Sequence, residues 1–414
     1  MSNDRVTYRD IGWQSDTTEV TDGVHYLSTF SACTAFETED GIVLVDSGLQ
    51  ELGPDLAARL REETTAPVHT AIYTHGHVDH VHGLPAFLTD QETAPRVVAH
   101  ENVPARFDRY EETPAHNTAL NARQFGGAAQ AEDDLYRAED TPFRQPDYPP
   151  DTLYDDELVL EVGGLTFEVH HARGETDDHS WVYCPEKEVL CSGDFFISMA
   201  PNCGNPQKVQ RYPWEWADAL REMAGKEPRH LCPGHGQQIV DDPDGIRERL
   251  LTSADYLDQI VEQTLAALED GSPPHVDVVH AVDPPATDEP WLREIYDESE
   301  FIVRNVLRYY GGWWTGRPSE LKPAPRAALA AEVASLAGGV DRLVARALDL
   351  AEDGGHRLAG HLADYALEAA PDDDAVQEAV VEVYEARAED ATSLMAANLY
   401  HSAAAYAEDG RPFR

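Results

Sequence analysis

Apolar residues recur in two rhythms along this chain, and the change of rhythm divides it. In the first part short apolar runs of strand type dominate. VHYLST from Val24, CTAFET from Cys33 and IVLVDS from Ile42 are separated by turn residues such as Gly41. A helical spacing follows from Leu52 to Glu62, then strand patterns at Val68–Thr74 and from Val97. ELVLEV and LTFEVHH, joined through Gly163-Gly164, predict a hairpin, and SWVYC, EVLCS and HLC at His230 predict three further strands. After about Pro243 the strand signals stop. Helical periodicity takes over at Ile246–Leu268, Glu300–Tyr310, Ala324–Leu336, Val340–Ala351, His356–Ala369, Ala375–Ala388 and Ser393–Ala407. The stretch from Leu343 to Val376 is similar to a single tetratricopeptide-like helix pair. The pattern predicts an α+β chain, with a strand-and-helix domain over 1–265 and an all-α domain over 275–414. Between Asn102 and Tyr154 lies a polar, Pro- and Asp-rich segment too long for a simple connection, which predicts a functional loop or lid.

A length of 414 residues agrees with two domains. No apolar run is long enough for a transmembrane helix. The opening MSNDRVTYRD lacks the basic and apolar regions of a signal peptide, so a cytoplasmic location is expected. Charge changes the picture more. Against 77 acidic residues stand 31 basic ones, a formal charge of −46, and the lysines are Lys187, Lys208, Lys226 and Lys322 alone. Such a surface repels nucleic acid and anionic membranes. Dispersed carboxylates with scarce lysine are expected of a halophilic protein, in whose salt-rich cytoplasm screening makes the charge tolerable. The five cysteines form no CxxC pair and read as small buried residues.

The strongest chemical signal is Thr74-His75-Gly76-His77-Val78-Asp79-His80, directly after a buried-type strand. Alternate imidazoles at His75 and His77 can meet one ion, and Asp79 and His80 a second beside it. Nitrogen and carboxylate oxygen suit zinc, and also iron or manganese. His179 before a strand, and Asp194 and His235 after strands, place further potential ligands at strand ends, where such scaffolds carry functional loops.

The order HxHxDH, His, a GD turn and a GH turn resembles the metallo-β-lactamase superfamily over residues from about 20 to 260. The resemblance implies an αββα sandwich holding two divalent metal ions, with zinc the expected pair. By that pattern His75, His77 and His179 hold one ion, Asp79, His80 and His235 the other, and Asp194 bridges them. Asp46 in the VDSG turn matches a position that supports the metal loops from behind. HENVPARFDRY, GETDDHSWVY, GNPQKVQRYPWEWA and YDESEFIVRNVLRYYGGWWTGRPSELKPAP further resemble the alkyl sulfatase-like branch, whose helical domain dimerises. That implies a homodimer through the C-terminal helices. Alkyl sulfatases of the secreted type carry glutamates where this chain has His179 and Asp194, a departure in the ligand set.

Two ions about 3.5–4 Å apart lower the pKa of a shared water toward about 7 and make a metal-bound hydroxide available as nucleophile. Asp79 and Asp194 would then be its catalytic carboxylate scaffold. After Asp194 the chain reads PNCGNPQKVQRYPWEWA, in which Asn205, Lys208 and Arg211 offer an amide and two cations to an anionic ester. The expected activity is therefore metal-dependent hydrolysis of an alkyl sulfate or similar small anionic ester. The competing readings are a mononuclear iron dioxygenase acting on a thiol or persulfide, a lactonase or thioesterase of the same fold, and a binding protein without catalysis.

Overall fold

The computed structural model describes residues 15–88, 93–125, 141–271, 277–411 and 413. Two compact units emerge: one of residues 1–114 and 142–312, the other of 115–141 and 313–414.

The first unit is built on two sheets. Strands β1 (Asp16–Thr21), β2 (Val24–Ser28), β3 (Ala32–Thr38), β4 (Gly41–Val45), β5 (Val68–Ile72), β6 (Arg96–His100) and β7 (Thr152–Tyr154) follow one another across the first sheet in chain order. β1 to β4 pair antiparallel and β4 to β7 parallel. The second sheet runs β12-β11-β10-β9-β8, with β8 (Glu157–Val162), β9 (Leu165–His171), β10 (Ser180–Cys184) and β11 (Val189–Gly193) antiparallel and β12 (His230–Pro233) parallel to β11.

Side chains alternate across a strand, so a strand apolar on both faces must be covered on both. In β4, Val43 and Val45 enter the core between the sheets, where Phe36, Val98, Phe167 and Val182 meet them. Ile42 and Leu44 face the other way, into a core with Leu56 and Leu60 of α1 (Gly53–Glu63) and Leu84 and Phe87 of α3 (Leu84–Phe87), which follows the one-turn α2 (Val78–Val81). On the second sheet Trp181 and Leu190 point outward onto α6 (Pro213–Gly225) and α7 (Pro243–Glu269) through Trp216, Leu220, Ile246 and Leu257. The layers are helix, sheet, sheet, helix, as the resemblance implied.

The segment 102–154 is not a long loop. It holds α4 (Val103–Glu112), α5 (Pro114–Gln124) and β7; residues 126–140 lie outside the described ones. The apolar spacing of α4, Val103, Phe107 and Tyr110, was present at i, i+4 and i+7, but Arg106, Asp108 and Arg109 between them masked it. The units also divide the chain elsewhere than at 265–275. α8 (Asp277–Ala281) and α9 (Ser299–Tyr310) pack in the first unit, where Val278, Ile302, Val303 and Leu307 join the core around Trp216 and Leu257. In the second unit α10 (Arg326–Ala337), α11 (Val340–Glu352), α12 (His356–Ala369), α13 (Asp374–Asp390) and α14 (Leu394–Glu408) close on an alanine- and valine-rich core. The end of α5 belongs there too: Asn398 Nδ2 donates to the Gln124 carbonyl at 2.8 Å and Ser402 Oγ to that of Arg123 at 3.1 Å.

Candidate metal centre

The parallel pairs β4–β5 and β11–β12 end side by side, and their exits carry the chemistry. Leaving β4, Asp46 takes a left-handed backbone (φ 58°). Its Oδ1 accepts the Thr74 N–H at 2.7 Å, and its Oδ2 accepts from the Thr74 hydroxyl and from His80 Nδ1, both at 2.8 Å. The His80 ring is thereby fixed with Nε2 turned inward, the support that its position implied. His235, after β12, is held likewise: its Nδ1 donates to the Phe30 carbonyl at 2.6 Å, turning Nε2 toward Asp79 and Asp194. The chain crosses so tightly here that a Cβ on Gly234 would fall 2.1 Å from Asp194 Oδ1.

Two groups of side-chain atoms converge. In the first, His75 Nε2 and His77 Nδ1 stand 2.8 Å apart, Glu175 Oε2 lies 3.6 and 3.5 Å from them, and Asp194 Oδ2 is 4.0 Å from His75 Nε2. In the second, Asp79 Oδ2 lies 3.6 Å from His80 Nε2 and 3.4 Å from His235 Nε2. Asp194 faces this group too, with Oδ1 3.4 Å from His80 Nε2 and Oδ2 3.3 Å from His235 Nε2. Four ligands about 2.0–2.1 Å from a tetrahedral zinc are about 3.3 Å from one another. The spacing therefore fits a metal ion in each group, with Asp194 between them. The buried His80 Nε2, Glu175 Oε2 and Asp194 Oδ1 have no hydrogen-bond partner. Such atoms are costly to leave unsatisfied, and metal ions in the two groups would satisfy them.

Charge in the metal-free site is lopsided. Burial disfavours protonation of His235, but Asp194 and Asp79 outweigh it and raise its pKa to about 10. His80 is raised in the same way, against its burial, by Asp194, Asp79 and Asp46. Asp79 falls to about 2: burial opposes its ionisation, and His80 and His235 override burial. His75, buried among His80, His179 and His77, is pushed well below the usual imidazole range.

Of the residues singled out from sequence, His75, His77, Asp79, His80, Asp194 and His235 are brought together. His179 is not. Its Nε2 accepts the Asp194 N–H at 3.1 Å, and its ring stacks on Phe195 at 4.2 Å. Its Nε2 thus faces the Asp194 backbone, while its Nδ1 is buried without a hydrogen-bond partner. Glu175, four residues earlier in GETDDH, lies instead in the group of His75 and His77. Nothing in the spacing of GETDDH separates Glu175 from Asp177 and Asp178, so the sequence carried no signal for it.

The expected substrate residues separate as well. Arg211 is buried, and its Nη1 donates to Glu175 Oε1 and to the Asn202 carbonyl, so it grips the ligand set and not a substrate. Burial opposes ionisation of Glu175, but Arg211 and His77 together override it and hold its carboxyl below the usual carboxylate range. Asn205 is buried with Nδ2 unpartnered. Half-buried Lys208 stands 5.9 Å over the Phe143 ring, and burial, with Arg211 adding, lowers its pKa to about 7. Behind the His75–His77 turn, Asp178 Oδ2 accepts from Gly76 N–H at 3.1 Å and from Arg106 Nε at 2.8 Å, and Arg106 also reaches Asp177 at 2.7 Å.

The chain is similar to several known proteins. An alkyl sulfatase dimerisation model matches residues 275–410. A linear primary-alkylsulfatase of a Pseudomonas species is 26% identical over 357 residues, 81% of this chain and 66% of its own length. An alkyl/aryl-sulfatase of Saccharomyces cerevisiae is 25% identical over 358 residues, 80% of this chain and 54% of its own length. The chain thus spans about half to two thirds of the curated relatives it matches. The solved structure of a stereoselective inverting sec-alkylsulfatase from Pseudomonas superposes with a TM-score of 0.83 over 96% of this chain and 66% of its own, at 18% identity, a likeness of fold. The metallo-beta-lactamase superfamily model matches residues 28–235, the span from the strand before Phe30 to His235 that carries both ligand groups, and the chain belongs to that superfamily.

Proposed function

We propose that this chain is a metal-dependent hydrolase of alkyl sulfates or closely similar anionic esters. The observation that carries the reading is the pair of converging ligand groups sharing Asp194, with buried His80, Glu175 and Asp194 atoms left unpartnered. His75, His77, Glu175 and Asp194 would hold one ion; Asp79, His80, His235 and Asp194 the other. Nitrogen and oxygen donors at this spacing suit zinc. Bound there, the pair supplies a Lewis acid and a nucleophile at neutral pH. The protein's own part is preorganisation. Asp46 and the Phe30 carbonyl aim the imidazoles, His179 and the Gly234 crossing aim Asp194, and Arg211 aims Glu175. Lys208 offers a positive charge to the anionic end of the ester, and Asn205 Nδ2 a donor. The sulfatase names of the relatives support a sulfate ester as that substrate. Two ligand groups also speak against a single-iron dioxygenase.

The match over 275–410 supports a homodimer formed by the C-terminal helices. The charge of −46 supports a salt-rich cytoplasm as the working medium. The deciding experiment is a hydrolysis screen of sulfate, phosphate and carboxylate esters in molar potassium chloride with defined metals, alongside metal analysis. About two zinc ions per chain and sulfate-ester turnover abolished by chelator are expected. Full activity in a metal-free sample would sink the proposal.

A further inference from the structure

Residues 201–212, which carry Asn205, Lys208 and Arg211, form neither helix nor strand. Backbone groups in such a buried stretch need partners from elsewhere. They find them on α9 and just before it, in the region matched by the dimerisation model. Asp297, wholly buried, accepts the Gly204 and Asn205 N–H groups on Oδ2. Buried Asn305 brackets the peptide of Arg211 from both sides: its Oδ1 accepts the Arg211 N–H at 3.2 Å and its Nδ2 donates to the Arg211 carbonyl at 2.9 Å. The orientation of that amide is determined by its neighbours. Gln210 Nε2 at 3.1 Å and Arg308 Nη2 at 3.0 Å face the same Oδ1, and donors can only face an oxygen. Arg308 lies one turn beyond Asn305 on the same helical face, and its Nη1 also donates to the Lys208 carbonyl at 2.8 Å.

We propose that Asn305 is a positioning residue for the metal centre: by fixing the Arg211 backbone it sets the guanidinium that holds Glu175 against His75 and His77. This rests on the metal-centre reading above but not on the identity of the ester. A helix assigned by family to dimerisation thereby controls one ligand group and not the other, since Glu175 belongs only to the group of His75 and His77.

The test is stepwise metal titration of full-length Asn305→Ala in molar potassium chloride, against a chromophoric chelator, with circular dichroism to confirm folding. One of the two equivalents should weaken by about 10–100-fold, the range for lost outer contacts to a ligand, and the other should hold. Glu175→Gln should weaken the same equivalent. Asn305→Asp keeps the acceptor and loses the donor, and should fall between wild type and alanine. A folded Asn305→Ala chain with both affinities unchanged overturns the proposal, and so does equal weakening of both, which would mean general loosening. Should Asn305→Ala fail to fold, exposed Arg308→Ala decides: the same single equivalent should weaken to a smaller extent, and an unchanged titration overturns the proposal. Because the readout is metal affinity, an absence of sulfate-ester turnover by wild type would count against the substrate reading alone.

Discussion

Glu175 and His179 sit four residues apart, and the roles proposed for them make opposite predictions. Glu175→Gln should cost a metal equivalent and most of kcat/KM. His179→Ala should keep two metals but leave the Asp194 N–H buried without its acceptor, lowering stability by about 1–3 kcal/mol in denaturant titration. If His179→Ala instead loses a metal and Glu175→Gln does not, the ligand assignment is reversed. Lys208 and Arg211 divide similarly. Lys208→Met should raise KM for anionic esters by about 10–100-fold, corresponding to about 1.5–3 kcal/mol for a charged hydrogen bond, with little effect on a neutral ester. Arg211→Met should instead weaken metal binding, because Glu175 loses its partner. Protons compete with the metals. His235, with its pKa raised to about 10, and His80, raised likewise, are charged in the metal-free chain, so metal uptake at pH 7 should release protons and tighten as pH rises toward 10. The sign for stability follows from the same shift. A raised folded-state pKa stabilises the metal-free chain fully below about 6.5, and that stabilisation fades as pH climbs through about 10. Calorimetry in buffers of different ionisation enthalpy measures the release. Six of the seven residues named from sequence as ligands converge in the fold, because their spacing within a turn, or their place at a strand end, is itself the signal. Glu175 gave no such signal, since its orientation depends on Arg211, 36 residues away.

At the level of elements, strands announced themselves wherever both faces are buried, as in β4 and β11, because every position is then apolar. α4 and α6 were harder to read: α4 carries buried Arg106 on its inner face, and α6 begins within the polar run after Asp194. The boundary near 270 followed the change from strand to helix rhythm. Packing follows another rule, and Ile302, Val303 and Leu307 of α9 close the core over Trp216 and Leu257. A fragment ending at residue 265 should therefore expose that core and lack the clasp on 204–211. It should unfold without a cooperative transition and bind metal weakly. Cooperative melting of that fragment with two tightly held metals would show that α9 is dispensable.

For the whole molecule, charge and assembly lead. With 77 carboxylates and 31 basic groups, removing salt should unfold or dissociate the protein, because repulsion is no longer screened. Light scattering in molar salt should give about twice the chain mass of 45.8 kDa, and a monomer there would refute the dimer. The excess of carboxylates was plain in composition, since it belongs to no single site. The crossing of the chain between its two units was not, because it depends on contacts between residues far apart in sequence. Asn398 and Ser402 meet the end of α5 across 274 and 279 intervening steps of the chain. On a ribosome adding about 5–20 residues each second, the end of α5 emerges roughly 14–55 s before the partners that will bury it. The second unit thus cannot complete itself until α14 has been made. The order of synthesis obliges an early segment to wait for a helix made much later.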